Sequence, residues 1–366
     1  MIERASWRDE ALGPIAEKVA AGERLSAEDG LVLFGTPDLL GLGALANQVR
    51  ESLHGNVTHF NQNRHINPTN ICEAHCRFCA FGRAPGAAGA YQYSIEEIVA
   101  KAREAEAAGA REIHIVGGHH PDLSLEWYLE MLEAMKHACP ELHLKAFTAM
   151  EIDYFTEITG LSAREVIERL MNAGMDSMPG GGAEVFAPRV RKIICRNKGT
   201  GERWIEIHRI AHGLGLKSNC TMLYGHVETH EERVDHLLQL RALQDETGGF
   251  QAFVPLVFHP ENTALRRITK ASGVEDLRLI AVSRLLLDNI PHIKAYWIML
   301  GIKTAQVALA FGADDLDGTV VEEKIFHDAG ADSPQEVPLD ELVSLIRAAG
   351  REPVERDTVY NVVQRH

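Results

Sequence analysis

Residues 71–83 read ICEAHCRFCAFGR, which sets Cys72, Cys76 and Cys79 at the spacing C-x3-C-x2-C. The chain has 6 cysteines, and half of them fall in this one stretch. Thiolates at that density repel one another unless a cation holds them, so soft-metal ligation is the natural reading. A closed structural zinc or iron–sulfur site takes four protein ligands, and only three cysteines cluster here. A Cys3His zinc site using His75 fits less well, because structural sites usually pair their ligands as C-x2-C and H-x3-H. Three closely spaced cysteines cannot all pair locally as disulfides. The better fit is a 4Fe–4S cluster on three thiolates, with one iron open to a small molecule.

The rest of the composition bounds the setting. At 366 residues the chain can bury a large core, and one α/β barrel of ~250 residues plus extensions fits that length. A formal net charge of −15 argues against nucleic acid or an anionic membrane as the main partner. No apolar run approaches the ~20 residues that span a bilayer, and MIERASWRDEALG lacks the apolar core of a signal peptide, so no membrane insertion is expected. Cys139, Cys195 and Cys220 are scattered and read as buried free thiols in a reducing cytoplasm.

Outward from the cysteines, strand and helix signals alternate. Residues 1–57 read as a helical extension, with Ser26 before one apolar segment and helical spacing through 39–53. HINPTN, at 65–70, leads into the cysteine loop as the first strand. Further strands are expected at 112–116, 142–148, 175–178, 216–224, 250–258 and 293–299, with an eighth at 307–311. Capping boxes at Ser94/Glu97, Ser162/Glu165 and Thr229/Glu232 open intervening helices. Eight strand–helix repeats imply parallel packing and a closed (β/α)8 barrel over 58–315, followed by a helical extension over 316–366.

In such barrels chemistry sits where strands end. Those positions hold the cysteines, then Gly117-Gly118-His119-His120, Thr148 and Glu151, and the run PGGGAE over 179–184. Later come Tyr224, His226 and Glu228, then His259, Glu261 and Asn262, then Asp314-Asp315. Three consecutive glycines cost conformational entropy, so close approach of backbone to a ligand is expected there. The run lacks G-x-x-x-x-G-K-[ST], which argues against a phosphate loop. Glu184 is either solvated or an acceptor for a ribose or amino group. Arg189, Arg191 and Arg203 are candidates for pairing with a ligand carboxylate. His226 and His259 stand in polar company, in GHVET and FHPENT. Asp314-Asp315 reads as a partner for loop backbone or a hydroxylated ligand.

The cysteine spacing, with aromatic Phe78 directly before the last cysteine, resembles the radical S-adenosylmethionine superfamily. Over about 65–360 the chain resembles one family within it, the aminofutalosine synthases of the futalosine route to menaquinone. The stretches that carry the likeness include NPTNICEAHCRFCAFGR, EIHIVGGHHP, DSMPGGGAEVF, SNCTMLYGHVET and FVPLVFHPENT. Several are shared with the sister dehypoxanthine futalosine cyclases, and more distantly with deazaflavin-cofactor synthases. KAFTAMEI, IKAYWIML and DDLDGTVVEEK resemble the synthases, whereas cyclases typically differ in the last of these loops.

The resemblance implies a TIM-type barrel with a 4Fe–4S cluster on Cys72, Cys76 and Cys79, and S-adenosylmethionine as co-substrate. It points Phe78, Gly117, Gly118, Glu184 and an arginine such as Arg189 or Arg203 toward that co-substrate. The implied reaction adds a 5′-deoxyadenosyl radical to the enolpyruvyl double bond of 3-[(1-carboxyvinyl)oxy]benzoate. Rearrangement and decarboxylation then give 6-amino-6-deoxyfutalosine and methionine. His226 and His259 are the expected catalytic groups, and Arg83 and Asn262 the expected contacts of the substrate carboxylates. Reduced flavodoxin or ferredoxin is the expected electron donor.

Overall fold

The computed structural model describes residues 7–366. Its first strand, β1 (Val57–Asn61), is followed by β2 (Asn63–Ile66), β3 (Glu112–Ile115), β4 (His143–Ala146) and β5 (Ser177–Met178). β6 (Lys217–Tyr224), β7 (Phe250–Val257) and β8 (His292–Ile293) complete a sheet in which β2 to β8 lie side by side in chain order, all parallel. Helices connect consecutive strands. The expected capping boxes are present at Ser94/Glu97, Ser162/Glu165 and Thr229/Glu232, opening helices Ile95–Ala107, Ala163–Asn172 and His230–Thr247.

Along β3 the side chains alternate. Ile113 and Ile115 are fully buried in the main core, while Glu112 and His114, of opposite parity, line the interior of the barrel. The apolar set therefore meets the helices and the polar set faces inward. That arrangement places ionisable groups in the centre of the molecule.

The eighth strand is not where the sequence pointed. Residues 307–311 do not form a strand; helix Ile302–Ala308 runs into them. The seventh is cut short as well, because Trp297–Leu300 is helical. Both are short apolar runs, and periodicity alone does not separate a strand from a buried helical turn. The eighth position is taken instead by β9 (Asp315–Gly318) and the residues after it. On one side Ala295 N–H donates to Asp315 O at 2.8 Å; on the other His65 N–H donates to Val321 O at 2.9 Å. The segment closes the barrel between β8 and β2.

β9 also pairs with β1, and β1 with β10 (Glu352–Arg356), which is joined in turn to β11 (Val362–Arg365). The C-terminal extension is thus helical only in part: Leu339–Ala348 is a helix, and the two strands after it were not foreseen. The expected domain limits at 57/58 and 315/316 fall inside β1 and β9, where the two ends of the chain share one sheet. Of the expected extension over 1–57, residues 1–6 lie outside the described ones, and the rest holds helices Leu12–Ala21, Ala27–Gly35 and Leu39–His54. Arg50, fully buried, ties the last of them to the sheet through Gly55 O, Val57 O, Thr58 Oγ1 and Ala313 O.

Candidate active site

The loop after β2 folds back on itself. Cys72 N–H donates to Arg83 O at 2.9 Å and Arg83 N–H to Asn70 O at 2.7 Å. Its flanks are tied to other strand ends, through Glu73 N–H to His119 O (3.1 Å) and Ala264 N–H to Arg77 O (3.1 Å). Cys72, Cys76 and Cys79, all free thiols, are thereby turned onto one cavity of about 480 Å³ that runs down into the barrel.

The donor set suits a 4Fe–4S cluster. Gly82 N–H points at Cys79 Sγ at 3.4 Å, an arrangement that eases negative charge on sulfur. Burial pushes the Cys76 thiol up to about 12, so a thiolate there requires a cation beside it. Three soft donors leave one iron for another ligand. The cavity beyond them has the room for one.

Gly117 and Gly118 line that cavity opposite the cysteines. A Cβ on Gly118 would sit 2.1 Å from Ile71 O and 2.9 Å from Cys72 Cβ, so any side chain here would displace the cysteine loop. Gly117 N–H donates to Glu151 Oε1 at 2.9 Å, and Gly118 N–H to Thr69 O at 3.0 Å. Glu151 also accepts from the N–H and hydroxyl of Thr148, each at 2.8 Å, completing the capping box in which Thr148 is the N-cap of helix Ala149–Thr159. Both glycine N–H groups are spent on the fold. What these residues can offer an ammonium ligand is carbonyl oxygen.

Glu184 follows the glycine run, 5% exposed, in the left-handed region at φ 47°. Lys198 Nζ donates to its Oε1 at 2.8 Å. Burial alone would lower the Lys198 ammonium, but the Glu184 carboxylate holds it above its ordinary value. The same Nζ lies 5.7 Å from the centre of the Phe78 ring. Lys198 escaped the sequence reading because nothing in RNKGT marks it. Its partner is fourteen positions upstream, across a turn and a helix.

Of the remaining expected residues, only His259 reaches the cavity, held by a hydrogen bond between Nε2 and Met299 O at 3.0 Å. His226 lies outside it: its Nδ1 is 2.9 Å from Glu228 and its Nε2 is 2.9 Å from Leu223 O, so it braces the turn after β6. Arg189 pairs with Glu232 on the surface, and Arg203 with Asp153 at 2.6 Å. Arg191 holds the glycine run by donating to Ala183 O at 2.7 Å. Arg83 caps the carbonyls of Ala80, Phe81 and Gly82, and Asn262 donates to Asp328 O at 2.8 Å. Each of these polar groups is spent on local structure and none lines the cavity. Asp314 and Asp315 are also structural, paired in the core with Arg284 and Arg356.

A model of the radical SAM superfamily matches residues 66–240, and one of the CofH/MqnC C-terminal region matches residues 247–365. The chain is 51% identical over 361 residues to the aminodeoxyfutalosine synthase of Thermus thermophilus, covering 98% of this chain and 97% of that protein. It is 48% identical to the aminodeoxyfutalosine synthase of Streptomyces coelicolor, covering 96% and 94%. Among solved structures, methylornithine synthase superposes with a TM-score of 0.71 at 18% identity, over 92% of this chain and 95% of that one, a likeness of fold alone. A barrel with three loop cysteines at its mouth is the architecture of a radical SAM enzyme, which uses a 4Fe–4S cluster and S-adenosylmethionine. Within that superfamily, the chain belongs to the aminodeoxyfutalosine synthase family.

Proposed function

We infer that this chain joins the 5′-deoxyadenosyl group of S-adenosylmethionine to 3-[(1-carboxyvinyl)oxy]benzoate, with rearrangement and loss of the enolpyruvyl carboxylate as carbon dioxide or bicarbonate, giving 6-amino-6-deoxyfutalosine and methionine for menaquinone synthesis. The observation that carries this reading is the single cavity shared by Cys72, Cys76, Cys79 and the barrel interior. One ligand can meet the cysteine loop while a second lies beneath it. The 4Fe–4S cluster supplies the electron that cleaves S-adenosylmethionine.

The protein's own part is positional. The carbonyls of Gly117 and Gly118 accept the methionine ammonium, and Glu184, fixed by Lys198, accepts from the ribose or the amino group. Phe78 and the glycine run at 180–182 wall the same end. Val254, Leu256 and Phe258 on and after β7 keep water and competing hydrogen donors away from the reacting carbon. A reduced flavodoxin or ferredoxin delivers the electron, in the cytoplasm. Among the described residues no helix is long and apolar enough to cross a membrane.

The test is the fate of label in a reconstituted anaerobic reaction. Adenosine-labelled S-adenosylmethionine should pass its label into aminodeoxyfutalosine, with methionine released in equal amount. Label recovered mainly as free 5′-deoxyadenosine would refute the reading.

A further inference from the structure

The cavity ends in a floor that none of the expected site residues reaches. His65 on β2 is the register partner of His114 on β3, and His114 that of Lys145 on β4. All three line the cavity, so one row of basic side chains crosses three adjacent strands. The two imidazoles stack with ring centres 4.5 Å apart and 9° between planes. Lys145 Nζ lies 2.7 Å from Glu112 Oε2, with both side chains nearly inaccessible. From the far side comes Lys294, the residue after β8, paired with Asp317 of the closing segment. Lys145 precedes Thr148 at the end of its strand by three residues, which puts the row roughly 10 Å deeper than the strand ends.

The floor is rich in donors and poor in free acceptors. An ammonium has three N–H bonds, and Lys145 and Lys294 each spend one on a carboxylate. Among the described residues neither His65 nor His114 has a hydrogen-bond partner for its ring. Burial holds both imidazoles below their ordinary value, so each is neutral with one N–H to give. Most acceptor oxygens are engaged: Glu112 Oε2 takes Lys145 and Asn61, which leaves its Oε1 open, Asp317 takes Lys294 and Asn63, and Glu323 takes the backbone of Ile325 and Phe326. Donors that face the cavity with no protein partner are free to meet an anionic acceptor on a ligand. Above the floor Val254, Leu256, Met299 and Phe326 give the slot an apolar side, while Asn219 and Thr221 of β6 add polar groups to the lining. An apolar slot closed by donors fits an aryl ring that ends in a carboxylate.

We propose that His65, His114, Lys145 and Lys294 anchor the ring carboxylate of the acceptor, the group farthest from the alkene carbon that receives the adenosyl group. This rests on the function inferred above and adds to it the residues that set how deep the acceptor sits. Gly117 and Gly118, assigned to the methionine ammonium, line the cavity with the cysteines, so the methionine carboxylate would lie at that end and would not compete for this floor. Anchoring at the ring leaves the enolpyruvyl group pointing up toward the cysteine loop.

The experiment compares two acceptors, 3-[(1-carboxyvinyl)oxy]benzoate and the phenyl ether that lacks the ring carboxylate. Wild type should favour the first by roughly a hundredfold or more in kcat/KM, since a site built to bond a polar group rejects the analogue without it. His114→Phe keeps a ring against His65 and removes the N–H; Lys145→Met removes the ammonium. Each should cut the preference about tenfold or more by slowing the dicarboxylate alone. A merely structural role would slow both acceptors equally, and that result, or an undiminished preference, overturns the anchor. If Lys145→Met fails to fold because Glu112 is left unpaired, His114→Phe still decides. Adenosyl transfer to neither acceptor by the wild type would refute the functional reading, and the anchor with it.

Discussion

Lys198 Nζ and Glu184 Oε1 meet 2.8 Å apart in the wall that also carries Cys76, so the carboxylate expected to receive a ligand is already held by a buried ammonium. The pair is a preformed acceptor whose direction is fixed before any ligand arrives. Lys198→Met strands a carboxylate in the core and should cost about 3 kcal/mol of stability. Lys198→Met with Glu184→Gln should cost less than Lys198→Met alone, as read by urea unfolding. Strictly additive losses would show that the two side chains are not coupled.

Glu184→Gln keeps the shape of the side chain and removes its charge. S-adenosylmethionine should then bind the clustered protein about ten- to a hundredfold more weakly, ~1.5–3 kcal/mol. Equilibrium binding under anaerobic conditions measures this. Unchanged affinity would remove Glu184 from the binding surface.

Cys76→Ala leaves two thiolates in the loop and should lose most iron and acid-labile sulfide on reconstitution. Cys139→Ala, at the buried end of helix Leu125–Ala138, should retain both. Metal and sulfide analysis of the two variants side by side is sufficient. Equal contents would displace the cluster from the loop.

Gly118→Ala places a methyl group 2.1 Å from Ile71 O, where backbone rather than a flexible side chain must yield. The expected cost is about 1–3 kcal/mol, and the shift falls on the segment carrying Cys72. Cluster content should therefore fall more than the melting temperature suggests. A variant with full iron content and unaltered turnover would show that the contact can relax.

His327 Nδ1 lies 3.3 Å from Glu323 Oε2, and its hydrogen bond to that carboxylate lifts the imidazole to about 9. A folded-state value raised above the ordinary 6.5 means that the contribution is complete below about pH 6.5. It fades as pH rises through about 9. Wild type should thus melt above His327→Gln at pH 6, and the gap should narrow by pH 9.5. A gap that widens with pH would reverse the assignment.

The cysteine loop was legible because a shared cluster forces its ligands into one short stretch. The strand–helix alternation was legible for the same local reason, since caps such as Ser94/Glu97 and Thr229/Glu232 write themselves within four residues. The arginines misled because guanidinium suits a carboxylate anywhere, and Arg189 and Arg203 found protein carboxylates first. The floor stayed hidden for another reason. In EIHI the polar residues at alternate positions look like a solvent face, and only the wrapping of helices around a barrel turns them inward. β10 and β11 escaped because EPVER and VVQR are too short and too charged to stand out.

Closure of the barrel by residues 315–321 fixes an order of events during synthesis. Val320 N–H donates to Asn63 Oδ1 at 2.9 Å across 257 residues of sequence, a contact available only once residue 320 has left the ribosome. The cysteine loop is translated early, and the wall that shuts the barrel beside it follows about 240 residues later. Until then the edges of β2 and β8 lie bare, inviting pairing with other nascent chains. A fragment ending at residue 300 should aggregate through those edges, and supplying 301–366 in trans should suppress it, as light scattering would record. A monodisperse fragment would mean that the early strands protect themselves. With this order of synthesis, metal loading in the cell waits for residues 315–321 rather than for the appearance of its ligands.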